Sequence, residues 1–288
     1  MKPGRWLIPL LSCLWMTFSA SAGSAPLADA VPNVRPTWTV GDWWTVESQV
    51  YDRGDKMPGA TPGWLNKETW QFSVVSTNSI DGEACYQVSI QPKDQNRCPY
   101  WFSCWFRMSD LLVLRRELHQ PAATRTGRQF SAPVVQANYS KDEEAPFMPF
   151  DFPSLPLTIP HFAGGMTNVY RTKVSFTRLA PAPQGVPQKP ARSLAASVTQ
   201  TFHPNETIGH EQVFGSRSPN PPGAQVRFGV FVLAQLADKY ERQNWNSNLP
   251  WHAYGEKWEG GLLVRRSWLV DCGHTIGSAV EPSAGGGR

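Results

Sequence analysis

The side chains able to do chemistry are few and dispersed. Asp271, His274 and Ser278 supply the residue types of a hydrolytic relay. They stand at the entrance to a Gly/Ser/Ala-rich stretch, 275–288, expected to be a disordered tail, and a nucleophile needs a rigid, sharply turned support. No GxSxG motif occurs. His119, His161, His203, His210 and His252 follow no ligand spacing, and neither a CxxC nor an HxxxH pair is present. Asp110, Glu117, Asp151, Glu211 and Glu256 read as solvated carboxylates, since spacing along a chain does not place two acids across a cleft. No catalytic residue, metal or cofactor is therefore assigned.

Two residue classes remain. Cys85, Cys98, Cys104 and Cys272 form an even set, which in an exported chain reads as two disulfides. Local closure of Cys98 with Cys104, leaving Cys85 to reach Cys272, is the preferred pairing; Cys85 with Cys104 is the rival. The second class is aromatic, with 13 tryptophans. Rings stack on a ligand while neighbouring amides hydrogen-bond to it, so Trp101, Trp105, Trp245, Trp251 and Tyr254 are candidate ligand contacts. Phe147 and Phe150 join them from the apolar, proline-broken run 145–162.

The elements that must position these residues are strands. Trp43 to Tyr51, Glu68 to Ser76 and Ala84 to Gln91 alternate apolar and polar side chains, the period of a half-buried strand, and their short connections indicate an antiparallel meander. Cys98 to Glu117 breaks that alternation with aromatics at successive positions, then a turn near Asp110. It predicts a hairpin covered on both faces, with Arg115, Arg116 and Glu117 marking its exit. Further strands are expected near 129–139, 168–179, 194–202, 212–215 and 262–271. Residues 224–245 mix strand and helical spacing, reading as a strand to about Gln235 and then a hairpin arm or a helical turn. Prolines in 145–162 forbid a helix or a central strand, so this apolar segment is expected to lie across the open end or edge of the sheet as a lid.

Composition gives an address. Lys2 and Arg5 precede an apolar core from Trp6 to Phe18 and the small-residue site Ala20-Ser21-Ala22, the layout of a cleavable export signal over 1–22. Leu10-Leu11-Ser12-Cys13 loosely resembles a lipidation site, but the apolar run continues past Cys13, which favours the plain signal. Cleavage lowers the formal charge from +4 to +2, too weak a bias for a nucleic-acid partner. No later segment is long and apolar enough for a spanning helix.

The sequence thus predicts a mainly β protein: one domain over 23–274, built as a curved sheet, open barrel or sandwich of about nine or ten antiparallel strands with long Pro-rich loops. The function expected first is non-enzymatic binding of an apolar or amphipathic ligand outside the cytoplasm. A structural or assembly subunit with an envelope protein partner is the alternative, and a secreted hydrolase the third.

Overall fold

The computed structural model describes residues 34–54, 61–119, 133–139, 153–162, 165–178, 192–209 and 227–275. The expected signal segment 1–22, Cys13, the expected strand at 212–215, and the tail beyond Thr275 lie outside the described residues. Strands dominate and no helix occurs among those described. The first half contributes β1 (Asp42–Asp52), β2 (Gly63–Trp64), β3 (Glu68–Ile80), β4 (Glu83–Pro92), β5 (Trp101–Arg107) and β6 (Val113–His119). The second half contributes β7 (Pro133–Tyr139), β8 (Thr167–Arg178), β9 (Arg192–Pro204), β10 (Phe228–Leu236), β11 (Lys239–Asn246), β12 (Tyr254–Glu259) and β13 (Leu262–His274). Among the described residues no helix is long and apolar enough to cross a membrane.

All pairings are antiparallel and, apart from β2, follow chain order from β3 to β13. β1 bonds β3 along one edge and β13 along the other, with Trp44 opposite both Phe72 and Cys272. The first and last long strands therefore meet in one curved antiparallel sheet, rather than in two stacked layers. Thirteen strands exceed the nine or ten expected because the ambiguous 224–245 stretch is a hairpin, β10 to β11, and Tyr254–Glu259, where no strand is expected from sequence, forms β12. Tight turns make these hairpins short. Asp81 and Gly82, with φ of 50° and 86°, join β3 to β4, the Asp-Gly pair that such a two-residue turn favours.

Alternation decides which face is which. Trp44 and Val46 of β1, Phe72 of β3, Phe102 and Phe106 of β5, Phe231 of β10 and Trp245 of β11 all join one buried cluster. Strands so far apart in the ladder share a core only if that face curves inward. Burying each large side chain there contributes about 1.5–3 kcal/mol. The outer face carries a small cluster of its own, Cys85, Trp105 and Leu114.

Three expectations are corrected. The four described cysteines are free thiols, not two disulfides. Register explains this: Val88 faces Cys104 across the β4–β5 ladder and Cys85 faces Arg107, so Cys85 and Cys104 point to opposite faces. Cys98, Cys104 and Cys272 belong to the inner core while Cys85 belongs to the outer cluster, so Cys85 does not meet Cys272 either. Cys98 precedes β5 and Cys104 is its fourth residue, and neither is bonded to the other. Second, Arg115, Arg116 and Glu117 do not mark a strand exit but lie within β6, where Arg116 is 3% exposed. Third, residues 23–36, whose small, Pro-rich and unpatterned make-up predicts an extended lead over the surface, do not merely cross it where they are described, at 34–36. Val34 is buried, and Trp38, at 1% exposure, packs edge-on against Phe106 with centroids 5.2 Å apart. Its indole N–H donates to the Pro250 carbonyl at 2.8 Å.

Candidate functional site

The 153–162 segment is the least expected element. It is not laid across an edge: from Ser154 to His161 every residue is buried, with Leu155, Leu157 and Ile159 at 0–2% exposure inside the curved sheet. Pro156 and Pro160 have no N–H to satisfy, which lowers the cost of burying this backbone. Several of the groups that remain are held by side chains of the inner face. Arg265 of β13 donates from Nη1 to the Leu155 carbonyl at 3.2 Å and to Pro153 at 3.5 Å. Ser48 of β1 donates to the Ser154 carbonyl, and the Ser154 hydroxyl donates to Glu68 of β3. Gln243 of β11 donates to the Thr158 carbonyl at 2.9 Å. Gln200 of β9 takes the His161 N–H on Oε1 and donates from Nε2 to the His161 carbonyl, each at 2.8 Å.

Charge in this interior is paired. Arg265 Nη2 lies 2.8 Å from Glu241 Oε1, both side chains at or below 4% exposure. At the far end of the strap, Asp110 in the β5–β6 turn meets Arg107, and its Oδ2 lies 3.6 Å from His161 Nε2. Burial alone would raise the Asp110 carboxyl, but hydrogen bonds from His161, Arg107 and the Leu112 amide hold it well below the usual carboxylate range. His252 Nε2 lies 3.1 Å from Ser267 Oγ. Complete burial, reinforced by the charge of Arg265, lowers the imidazole to about 3. Burial likewise pushes the Cys104 thiol up to about 12, which makes it a poor nucleophile.

Where the strap enters, the sheet has a mouth. A cavity of about 650 Å³ opens there, bounded by the end of β1, the start of β3, the approach to β5, the β12–β13 turn and Pro153-Ser154. Val50, Leu65, Pro99, Tyr100 and Val264 supply apolar wall. Arg53, Arg97, Lys257 and Arg265 line it together with Asp52, Glu68 and Glu259. Each of those acids but Asp52 takes a basic partner or a hydroxyl: Arg97 reaches Glu68 at 3.9 Å and Lys257 reaches Glu259 at 3.5 Å.

The ligand contacts expected from sequence do not converge there. Trp245 and Trp251 are fully buried in the inner core, with centroids 5.7 Å apart. Trp101 and Trp105 stand on the outer face of β5, and Tyr254 on the outer face of β12, opposite Trp268. Phe147 and Phe150 lie outside the described residues.

Among the described residues, the outer face holds a histidine–serine–acid grouping around Trp101. Its ring stacks on His119 at 5.4 Å, and His119 Nε2 lies 3.1 Å from Ser103 Oγ and 3.7 Å from Glu117 Oε2. Both partners meet the same nitrogen, and Nδ1 is buried without a partner among the described residues. A relay needs the acid on the other nitrogen to orient the ring, so this set lacks the geometry of a triad. Alternation of 101, 103, 105 against 115, 117, 119 was the sequence signal that these residues share a face. Asp271 is likewise not the partner of His274, whose Nδ1 lies 2.8 Å from Asp42 Oδ1; Ser278 lies outside the described residues. Among the described residues no group of three His, Cys, Asp or Glu could hold a metal.

No family model, no curated protein and no solved structure matches this chain.

Proposed function

We propose that this is an exported, non-enzymatic binding protein whose ligand is an amphipathic molecule seated in the mouth cavity. The observation that carries the reading is the lining of that cavity, an apolar wall beside side chains of both charges. Such a surface suits a ligand with an alkyl or ring portion and a zwitterionic head: the tail covers Val264 and Tyr100, and the head exchanges charge with Arg97, Lys257 and Glu259. With the strap in place, buried tryptophans and strap side chains occupy the inner core, so the reading rests on the mouth cavity. The cationic head, apolar core and small-residue site of residues 1–22 support export.

Calorimetric titration with monomeric dodecylphosphocholine tests this. Uptake is expected, and Val264→Trp, which fills the cavity, should weaken it about 10-fold or more, about 1.4 kcal/mol. Val169→Trp, at a position 67% exposed on β8, should leave it unchanged. No uptake, or uptake indifferent to Val264→Trp, overturns the proposal.

A further inference from the structure

The inner face treats residues 153–162 as a receptor treats a bound peptide. Four side chains, Ser48, Gln200, Gln243 and Arg265, come from four different strands and address main-chain groups of the strap. The paired bonds of Gln200 to the N–H and carbonyl of one residue are the contact a neighbouring strand would make. Of the strap's polar side chains, Ser154 reaches Glu68 and His161 reaches Asp110, whereas the Thr158 hydroxyl between them is fully buried with no partner among the described residues, although its carbonyl is bonded. The face therefore reads mainly an extended backbone and apolar side chains, with a matched polar side chain at each end and an unmatched one at Thr158.

Topology makes the strap separable. It belongs to the connection between β7 and β8, and those two strands pair directly, Tyr139 with Val174 through Val135 with Arg178. Withdrawing residues 153–162 breaks no ladder.

We infer that the inner face is a binding groove for an extended, proline-containing segment of a partner polypeptide, and that residues 153–162 occupy it as a tethered competitor. The groove goes beyond the mouth cavity and does not depend on a ligand there. A tethered strap competes at an effective concentration on the order of millimolar, so the intact chain resists micromolar peptide. Weakening the strap without touching the groove should reveal it.

The test uses the full chain and a fluorescent ten-residue peptide of the 153–162 sequence. Leu157→Ser places a hydroxyl where the strap is 1% exposed, and should raise affinity for the peptide in trans at least 10-fold over the unaltered chain. A peptide carrying Thr158→Val should bind the same variant more tightly still, several-fold, and a scrambled peptide should not bind. Gln200→Ala added to Leu157→Ser should cut binding by about 10-fold. In the unaltered chain, the His161 amide should exchange with solvent faster than the ladder amides of β3 and β4, reporting strap opening without unfolding. A Leu157→Ser chain that does not fold, a His161 amide that exchanges only with global unfolding, or peptide binding indifferent to Gln200 overturns the inference. So does a dimer in which two copies exchange straps, or uptake of dodecylphosphocholine by the groove in place of peptide.

Discussion

At the scale of single residues, the interior uses polar groups where a β core normally uses none. Glu241 and Arg265 are both buried; replacing either partner alone would leave an uncompensated charge, the costly way to break such a pair. His252 is a different case, because it is buried neutral. Its unfolded value is about 6.5 and its folded value about 3, so between those limits the unfolded chain binds a proton that the folded chain refuses. The contribution of His252 is fully present above pH 6.5 and is lost as pH falls toward 3. Denaturant titrations from pH 7 to pH 4 should show stability declining by about 1.4 kcal/mol per unit from this group once below its unfolded value. His252→Leu should flatten that slope relative to the unaltered chain; an unchanged slope would show that the ring is protonated in the fold.

At the scale of elements, close approach between neighbouring strands sets what β10 tolerates. Gly229 faces Pro204 across the β9–β10 ladder, and a Cβ there would lie 2.4 Å from Phe202 Cζ and 2.7 Å from the His203 carbonyl oxygen. Phe202 has little room to yield, since its ring packs 4.6 Å from Phe231 at 2% exposure. Gly229→Ala should therefore lower the unfolding free energy measured in urea by about 1–3 kcal/mol. Gly63→Ala, whose Cβ would meet nothing within 4 Å, serves as the control and should stay within about 0.5 kcal/mol. The 98–117 hairpin is covered on both faces as its composition predicts, by the inner core through Phe102 and Phe106, and on the outer face by Trp105 against Arg115, 5.1 Å from ring to guanidinium.

At the scale of the whole molecule, the sheet is stapled by hydrogen bonding instead of covalently. β1 joins both β3 and β13, so the two halves of the chain are held by main-chain ladders and a common core. Cys85, Cys98, Cys104 and Cys272 should all react with a thiol reagent in denaturant without prior reduction. Adding reductant should leave the melting temperature unchanged. A reductant-dependent loss of stability would show that a disulfide carries part of the fold.

The amino-acid sequence by itself determined the β class, most strand positions before residue 120 and the inward sets Trp44–Val46, Trp70–Phe72–Val74 and Val88–Ile90, because a two-residue period is local information. It also marked 145–162 as a segment too apolar to stay in water. Only the tertiary structure decided where part of that segment goes, since the bonds that hold 153–162 come from Ser48, Gln200, Gln243 and Arg265, residues far apart in sequence that meet only when β13 returns to β1. The same return decided that Trp245 and Trp251 become core, while the β4–β5 register put Cys85 and Cys104 on opposite faces. Alternation tells which residues share a face. Which face becomes the inside, and what fills it, depends on curvature that no stretch of sequence carries alone.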